Sequence, residues 1–591
     1  MAWILSPKLP RTGRLGRAVA TVALLSACAP RRPDIEVVLA GATVVTLDSA
    51  NPTGTALAIG GGRVIAVGDA DSVLAWKAGW ARIADLGGVV IAPAFVDHHI
   101  HLYNVGLALL NGALREQLFL DLSSAKSIQE IANRVKARAD SVPAGAWIVG
   151  AGWSQGAWGT QALPTLAEIS VAAPNHPVFL ARTDGHAGWV NARALKLAGI
   201  GKTTPSPAGG TIGRLANGDP SGILLERANE PMINRLPAPS DDDIMAAYRI
   251  AADSLAARGV VEVEDAGPLA FPGVVALDAD LGRYLALLRR ADSTAPFPIR
   301  INLMVPAPSR LADSLLAEGA SAFTLSPRIR VTHLKLFADG ALGSRGAALT
   351  HVYADDSTTH GVARMTADSI EALARRALDG GLGVAIHAIG DEAVRRTLDA
   401  YERILADQPT LDRHRLRVEH FSYARDEDFS RAVRLGIVLS VQSDFNATPE
   451  EHPDLGGMRV GEANEARVYA WDRLFRAGAV MIEGSDYFTK PGSAMAPFLA
   501  TLTRKYAVGQ SRPDGDARAL AWRLNAVRVP PTGPGRDGVI RAGGPADLMI
   551  LDRNPFTAPR TMIESTRVRA TFHDGRIVMG DSAIRHALTR P

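Results

Sequence analysis

Residues 93–101 read Pro-Ala-Phe-Val-Asp-His-His-Ile-His, an apolar run that ends in a cluster of histidines. On a β-strand, side chains two positions apart point the same way, so His99 and His101 can bind one metal ion together. His98 has the opposite parity and is expected to pack or to support a ligand. A chain with 14 histidines in 591 residues contains about one third of a His-x-His pair by chance, so the motif needs support from elsewhere in the sequence.

More polar side chains stand at or near the carboxyl ends of later apolar runs. Val331–Asp339 contains Lys335, Val384–His387 ends in His387, Leu416–His420 ends in His420, and Val480–Glu483 precedes Asp486. In β/α barrels, active sites lie at the carboxyl ends of the strands. The sequence therefore predicts that these side chains meet His99 and His101 at one end of a barrel.

The middle of the chain, from about 91 to 529, alternates short apolar runs with helical stretches rich in alanine and arginine. Val260–Val263 and Ile437–Val441 are typical runs, and Glu392–Leu405 is a typical helical segment. Strand–helix alternation of this kind favours a parallel α/β sheet. We expect a (β/α)₈ TIM barrel over residues 93–532, with a large insertion at about 103–259 that accounts for its length.

Both ends of the chain instead carry short alternating β segments broken by glycines. Gly60-Gly61-Gly62 lies between two of these segments, and Asp574-Gly575 lies between two near the carboxyl terminus. Both sequences are typical of hairpin turns. Residues 35–92 and 533–591 are therefore predicted to meet in one small β-sandwich.

The amino terminus has the pattern of a bacterial export signal. Residues 1–27 carry four basic residues, no acidic residue and the apolar run Ala18–Leu25, which is too short to span a bilayer. Leu25-Ser-Ala-Cys28 resembles a lipobox, in which Cys28 is lipidated and becomes the first mature residue. The alternative is a plain secretory signal. With residues 28–34 as a tether, this predicts a lipid-anchored protein of the bacterial cell envelope, on the periplasmic side, and Ala29 favours the outer membrane.

Composition gives no reason to expect a nucleic-acid partner. Without residues 1–27 the formal net charge falls from +3 to −1, because four basic residues are lost. Cys28 is the only cysteine, so the chain forms no internal disulfide. The expected partners are a small-molecule substrate and, through the lipid anchor, a membrane. Homo-oligomerisation stays open.

Several local strings carry a resemblance to a known family. They are Gly152-Trp153, Thr183-Asp-Gly-His-Ala187, Lys335-Leu-Phe-Ala-Asp-Gly340, His387-Ala-Ile-Gly-Asp391, Val418-Glu-His420, Gly484-Ser-Asp486 and Gly544-Pro-Ala-Asp-Leu-Met-Ile-Leu-Asp552. Together with the order His-x-His, Lys, His, His, Asp, they resemble the amidohydrolase superfamily and its YtcJ-like branch, the amidohydrolase 3 group. The resemblance runs from about residue 35 to 580 and implies a metal-dependent hydrolase.

The resemblance implies two divalent metal ions, and imidazole and carboxylate donors favour zinc. The implied ligands are His99, His101, Lys335, His387, His420 and Asp486. Free lysine is a poor ligand, but burial near cations favours the neutral amine, which can take up CO₂. The resulting carbamate of Lys335 would then bridge both metals. The alternative is a buried lysine paired with Asp339 or Asp486.

The implied reaction is hydrolysis of a non-peptide C–N bond in an amide-like substrate, an N-acyl or N-formyl compound. A metal-bound hydroxide attacks the carbonyl carbon, because a bound metal lowers the pKa of water to about 7. Asp486, as the catalytic residue, takes the proton of the water and passes it to the leaving amine. The alternatives are an ester, lactone or phosphoester hydrolase with the same site, and a non-catalytic lipoprotein that binds ligands.

Four residues are candidates for substrate contact: Trp153, Asp184, His186 and Asp339. For Asp184 and His186 the alternative is a structural turn around Gly185, and for Trp153 it is packing. Asp339 is expected to orient a ligand or to line the pocket. After Asp486 the loop departs from the family pattern, so no relative's substrate can simply be transferred.

Overall fold

The computed structural model describes residues 35–75, 81–110, 120–158, 163–237, 239–268, 281–443, 455–487, 491–503, 514–529 and 536–589. Residues 1–34, with the predicted signal, the tether and Cys28, lie outside the described part. In the ranges that are described, no helix is both long and apolar enough to cross a membrane.

The first described strands belong to a β-sheet in which a glycine hairpin is prominent. They are β1 (Val37–Val45), β2 (Thr53–Gly60), β3 (Arg63–Gly68), β4 (Arg82–Asp85) and β5 (Val90–Pro93), with helix α1 (Ala70–Leu74). Gly61 and Gly62 form the two-residue turn between β2 and β3. Both have positive φ, which this class of hairpin requires. The hairpin predicted at these glycines is confirmed.

The next strand, β6 (Phe95–Ile100), leads through helix α2 (Leu102–Leu109) into an insertion with its own sheet. The strands of the insertion are β7 (Leu120–Asp121), β8 (Ile148–Trp153), β9 (Val178–Arg182), β10 (Ala187–Val190), β11 (Gly210–Arg214) and β12 (Pro220–Glu226). Its helices are α3 (Ile128–Ser141), α4 (Leu166–Ala172), α5 (Ala192–Ala198) and α6 (Glu230–Ile233). The strand order is β11-β12-β10-β9-β8-β7.

After helix α7 (Asp241–Ala256), seven strands complete a barrel with β6. They are β13 (Val260–Asp265), β14 (Arg300–Pro306), β15 (Ile329–Phe337), β16 (Gly383–Ala388), β17 (Leu416–His420), β18 (Val438–Val441) and β19 (Val480–Glu483). The helices between them are α8 (Leu281–Thr294), α9 (Arg310–Glu318), α10 (Ala367–Asp379), α11 (Asp391–Asp407), α12 (Asp426–Leu435), α13 (Leu455–Val460) and α14 (Trp471–Arg476). Neighbouring strands pair in parallel in chain order from β6 to β19, which confirms the predicted (β/α)₈ barrel with an insertion.

The barrel closes where β19 meets β6, and a glycine permits the close approach. A Cβ atom at Gly484 would lie only 2.6 Å from the backbone nitrogen and the Cβ of His99. The amide of Asp486 donates to the carbonyl oxygen of His99 at 2.5 Å. The carboxylate of Asp97 accepts hydrogen bonds from the amide and hydroxyl of Ser485, at 2.9 and 2.5 Å. This seam therefore fixes His99 beside Asp486.

The carboxyl-terminal part of the chain returns to the first sheet. It contains α15 (Ala496–Thr503), α16 (Asp514–Leu524), β20 (Leu548–Leu551), α17 (Arg560–Ile563), β21 (Val568–His573), β22 (Arg576–Gly580) and α18 (Ser582–Thr589). Strand β20 runs antiparallel to β5, and the order is β22-β21-β20-β5-β1-β2-β3, with β4 beside β1. Asp574 and Gly575 form the predicted turn between β21 and β22. The predicted meeting of both chain ends is confirmed, and they share one eight-stranded sheet.

Candidate active site

The six side chains predicted as metal ligands come together at the carboxyl ends of the barrel strands. Four of them lie on strands β6, β15, β16 and β17, in this order: His99, Lys335, His387 and His420. The fifth, His101, directly follows β6, and the sixth, Asp486, lies three residues after the end of β19. The ring centroids of His99 and His420 lie 5.0 Å apart, and those of His387 and His420 lie 4.5 Å apart. Nζ of Lys335 lies 3.3 Å from Nε2 of His99. The side chains therefore occupy one cavity, as expected of a shared centre.

Asp486 and the His-x-His pair form an arrangement that fits a cation. Nδ1 of His101 donates to the carbonyl oxygen of Gly267 at 2.5 Å, and Nδ1 of His99 contacts Glu419 at 2.5 Å. Each ring therefore presents the lone pair of Nε2, which lies 3.1 Å (His101) and 3.6 Å (His99) from Oδ1 of Asp486. This buried oxygen has no hydrogen-bond partner among the described residues. Three buried acceptors that face one another favour a cation between them, so these residues fit a divalent metal.

The hydrogen bonds of His387 and His420 also select a tautomer. Gln442 donates its amide to Ser440 at 3.2 Å, which turns its oxygen toward Nδ1 of His420 at 2.8 Å. Nε2 of His420 therefore carries the lone pair. In His387 the roles are reversed, because Nε2 donates to the carbonyl oxygen of Gly340 at 3.2 Å. Partners that fix the ring in this way are typical of histidines that bind metals.

Burial keeps three histidines of the cluster, His99, His387 and His420, neutral. It lowers the pKa of His420 to about 4 and holds the pKa of His99 and His387 well below the ordinary value. Imidazole binds a metal ion only in its neutral form. At neutral pH these histidines are therefore in the protonation state that binds a metal ion.

Lys335 and Asp486 respond to the same environment in different ways. Burial lowers the pKa of Lys335 to about 8, although Glu419 and Asp486 oppose this shift. The neutral amine is therefore a minor form near neutral pH, but a far more accessible one than in an ordinary lysine. Burial alone would raise the pKa of Asp486, but His99 and His101 outweigh it and hold that pKa below its usual range. Asp486 is therefore ionised.

A chain of buried ionic contacts stands behind His99, and sequence reasoning did not assign it. Glu419, which contacts His99, also accepts a hydrogen bond from Nε of Arg417 at 3.0 Å. Arg417 pairs in turn with Glu264, and His98 lies 3.4 Å from the same carboxylate. In the sequence, this chain of contacts was indicated by the pair Arg417 and Glu419, which places two charges on one face of an otherwise apolar strand. His98, which was expected to pack or to support a ligand, belongs to this chain.

The turn between β9 and β10 of the insertion reaches the same cavity. It carries His186, whose ring centroid lies 5.0 Å from that of His387. Asp184 accepts hydrogen bonds from the amide of His186 at 3.1 Å and from Nη1 of Arg182 at 2.6 Å. Glu226 accepts from Nδ1 of His186 at 3.0 Å. The side chains of Asp184 and His186 are each 12% exposed, and their contact with a substrate stays a prediction.

Trp153 is a predicted substrate contact, and the contacts of its side chain favour the alternative, packing. Its side chain is fully buried, and its indole N–H donates to the carbonyl oxygen of Leu180 at 2.8 Å. The ring stacks on Trp158 and meets Trp189 edge to face, both at 5.9 Å between centroids. Trp153 therefore packs in the core of the insertion, which was the alternative stated for it.

Asp339 positions a ligand residue and has no surface with which to contact a substrate. It is fully buried, and its carboxylate accepts from the amides of Ala348, Ile389 and Gly390 at 2.8–3.0 Å. Two of these amides belong to the segment that follows His387. Burial raises the pKa of Asp339 to about 7. Of its two expected roles, the geometry fits the orientation of a ligand and excludes lining of the pocket.

A parallel barrel with a polar cluster at the carboxyl ends of its strands defines a β/α-barrel enzyme. A family model described as the Amidohydrolase family matches residues 82–579. The chain therefore belongs to the amidohydrolase family of metal-dependent hydrolases, as the sequence motifs predicted.

Individual relatives agree with this assignment. YtcJ of Bacillus subtilis (strain 168), which is named as an amidohydrolase, is 30% identical over 504 residues, or 83% of this chain and 89% of its own. The N-substituted formamide deformylase of Arthrobacter pascens is 27% identical over 557 residues, or 91% and 97% of the two chains. The crystal structure of an uncharacterized metal-dependent hydrolase from Pyrococcus horikoshii aligns with a TM-score of 0.61 and 26% identity. That alignment covers 89% of this chain and 99% of the other.

Proposed function

We propose that this protein hydrolyses the non-peptide C–N bond of an N-acyl or N-formyl amine at a centre for two zinc ions. The proposed ligands are His99, His101, Lys335, His387, His420 and Asp486. The observation that carries the proposal is the group of buried acceptors at the barrel mouth, where Oδ1 of Asp486 faces two imidazole nitrogens at 3.1 and 3.6 Å. The donor types favour zinc over magnesium or calcium.

A divalent cation held here supplies an activated water near neutral pH and polarises the carbonyl group of the substrate. Asp486 holds the proton of the attacking water on its carboxylate and releases it to the leaving amine. The carboxylate of Asp486 can accept this proton because it is ionised in the resting site, where the pKa of Asp486 lies below its usual range. Burial of the whole cluster excludes bulk water and strengthens these electrostatic interactions.

The choice of an amide-like substrate is supported by one relative in particular. The Arthrobacter pascens protein is named for deformylation of N-substituted formamides, and its similarity extends over 91% of this chain. A leaving amine also requires a proton, which Asp486 is placed to deliver. An ester or lactone would leave as an alcohol from the same site, so these substrates form the competing class.

The test is metal analysis of the purified protein together with a substrate panel. The panel contains N-substituted formamides, N-acyl amines, simple esters, lactones and a phosphotriester. We expect close to two zinc ions per chain and the highest kcat/KM on a formamide or N-acyl amine. Higher kcat/KM on a lactone, ester or phosphotriester would replace the proposed substrate class. A metal-free protein without turnover would instead favour a ligand-binding lipoprotein.

We further propose that Cys28 anchors the protein by lipid in the bacterial cell envelope, on the periplasmic face of the outer membrane. The support is the lipobox sequence Leu25-Ser-Ala-Cys28 behind a basic and apolar segment. Cys28→Ser should abolish labelling with a radioactive fatty acid and move the protein out of the membrane fraction. Unchanged membrane association of this variant would show that Cys28 is not the anchor.

A further inference from the structure

The insertion contributes an imidazole that extends the cluster of the barrel. Ring centroids of His99, His420 and His387 follow one another at 5.0 and 4.5 Å, and His186 continues the series at 5.0 Å from His387. Three of these histidines come from barrel strands, whereas His186 comes from the turn after β9 in a separate sheet. The cavity is therefore completed by a residue that the barrel itself does not supply.

A buried carboxylate, that of Glu226, holds the ring of His186 in place. Glu226 is buried at the end of β12, and it accepts from Nδ1 of His186 at 3.0 Å and from Nη1 of Arg364 at 2.9 Å. Arg364 neutralises the carboxylate, so that it can stay buried next to His186. Glu226 also approaches the backbone at Gly340 so closely that a Cβ there would overlap its Oε1. The insertion and the barrel thus meet around Glu226, and their contacts fix the ring of His186.

Within the described residues, Nδ1 of His186 is paired with Glu226, whereas Nε2 is not paired. Because Nδ1 faces Glu226, Nε2 lies on the opposite edge of the ring, and none of the described residues forms a hydrogen bond with it. The side chain is only 12% exposed. Because Glu226 holds the ring through Nδ1, Nε2 can form a hydrogen bond with a bound molecule without breaking an existing one. Beside His387, a proposed metal ligand, the group that completes this pairing is the substrate.

We propose that Nε2 of His186 forms a hydrogen bond with the scissile carboxamide group of the substrate, and that Glu226 and Arg364 position it. The inference rests on the proposed hydrolysis of an amide and assigns the insertion a direct part in it. His387, a proposed metal ligand, contacts the ring of His186, so the reacting group lies within reach of both. A contact with the reacting group, unlike one with a substituent, acts on every substrate of the class.

The experiment compares His186→Phe and Glu226→Gln with the wild-type protein on a series of formamides and N-acyl amines that differ only in the N-substituent. His186→Phe should lower kcat/KM about 10²-fold, the scale for a lost hydrogen bond to the reacting group. The factor should be the same for every N-substituent. Glu226→Gln should lower kcat/KM about 10-fold, because the histidine remains but is less firmly oriented. Both variants should keep the zinc content of the wild type. His186→Phe should also keep its Tm, whereas Glu226→Gln should lower Tm because it takes the ionised partner from Arg364.

The control is His414→Phe, which removes a half-buried histidine that pairs with Asp412 away from the cluster. It should leave kcat/KM unchanged. Three results would overturn the inference about His186: unchanged kcat/KM in His186→Phe, loss of zinc together with activity, or a factor that depends on the N-substituent. Activity of the wild-type protein on the same substrates tests the proposed function first. If the wild-type protein cleaves no carboxamide, the proposed function is contradicted before any variant is compared.

Discussion

At the scale of single residues, Asp486 combines two tasks that one substitution can separate. Its Oδ1 faces the His-x-His pair, and its Oδ2 lies 3.9 Å from Nδ1 of His420. Asp486→Asn keeps the shape and one oxygen ligand but removes the base. We expect this variant to keep most of its metal and to lose about 10²-fold or more in kcat. Elemental analysis and kcat on the best substrate test this, and near-normal turnover would place the base elsewhere.

Lys335 should behave differently, because its proposed task is metal binding alone. The side chain is fully buried in the barrel, and its pKa of about 8 leaves neutral amine available for carbamate formation. Lys335→Ala is expected to lose zinc and activity together, and short carboxylates such as propionate, added with zinc, should restore part of both. Full zinc content in Lys335→Ala would favour the alternative, a buried lysine that only pairs with Asp486.

The residues of the cluster differ in how far the sequence could place them. Lys335 lies within a regular strand, so alternation alone indicates that it faces the barrel interior. His420 and Asp486 have φ values of 76° and 51°, in the left-handed region that side chains rarely adopt. Their backbone leaves strand geometry, so alternation could not predict where they point. Glu226 lies 40 residues from His186, and no local pattern links the two.

At the scale of elements, the contact between β6 and β19 decides whether the site holds together. A Cβ at position 484 would lie 2.6 Å from the backbone of His99, which is too close for the strands to remain in place. Gly484→Ala should therefore destabilise the protein by roughly 1–3 kcal/mol and weaken zinc binding. Thermal unfolding and zinc titration measure the two effects. Gly282→Ala is the matched control.

Gly282 lies in helix α8, and no atom of the described residues lies within 4 Å of the position that a Cβ would take, so alanine is tolerated there. The control variant should match or slightly exceed the stability of the wild type, because alanine favours a helix. If Gly484→Ala kept wild-type Tm and zinc affinity, the seam would not be what positions His99.

The elements differ in how well the sequence predicted them. The glycine hairpin of β2 and β3 and the barrel strands follow from local turn residues and from repeated apolar runs. The six-stranded sheet of the insertion did not, because its strands have only two to seven residues and helices interrupt three of its five connections. The tryptophans there were ambiguous for the same reason. Only the fold shows that Trp153 packs against Trp158 and Trp189.

At the scale of the whole molecule, a compact ionic joint connects the terminal sheet to the barrel. Glu262 on β13 accepts from Nε of Arg528 at 2.8 Å and from Nε of Arg300 at 3.1 Å. Both arginines also donate to Oδ2 of Asp547, just before β20, at 2.6 and 2.7 Å. Asp547 and Arg528 are buried, and Glu262 and Arg300 are half-buried. Two acids and two arginines thus bridge residues that are far apart in the chain.

This joint makes a prediction about stability and pH. Burial alone would raise the pKa of Glu262, but Arg528 and Arg300 outweigh it and hold that pKa at about 2. A depressed pKa stabilises the fold above the unfolded value, about 4.5, and this contribution is lost as the pH falls toward 2. Glu262→Gln leaves Arg528 with Asp547, and Arg300 with Asp547 and Asp574. It should lower stability by roughly 1–3 kcal/mol at pH 7, because two hydrogen bonds between charged groups lose their ionised acceptor.

Thermal unfolding between pH 7 and pH 3 tests both parts of this prediction. Glu262→Gln should have a lower Tm than the wild type at pH 7, and the difference should shrink as the pH falls below 4.5 because the wild type loses the same interaction. Asp140→Asn is the control, since Asp140 pairs with Lys136 on an exposed face of helix α3, where such pairs contribute roughly 0–1 kcal/mol. Equal losses of Tm in both variants would show that the joint adds no more than a surface pair. A difference that persists unchanged at pH 3 would show that the ionised carboxylate of Glu262 is not the stabilising group.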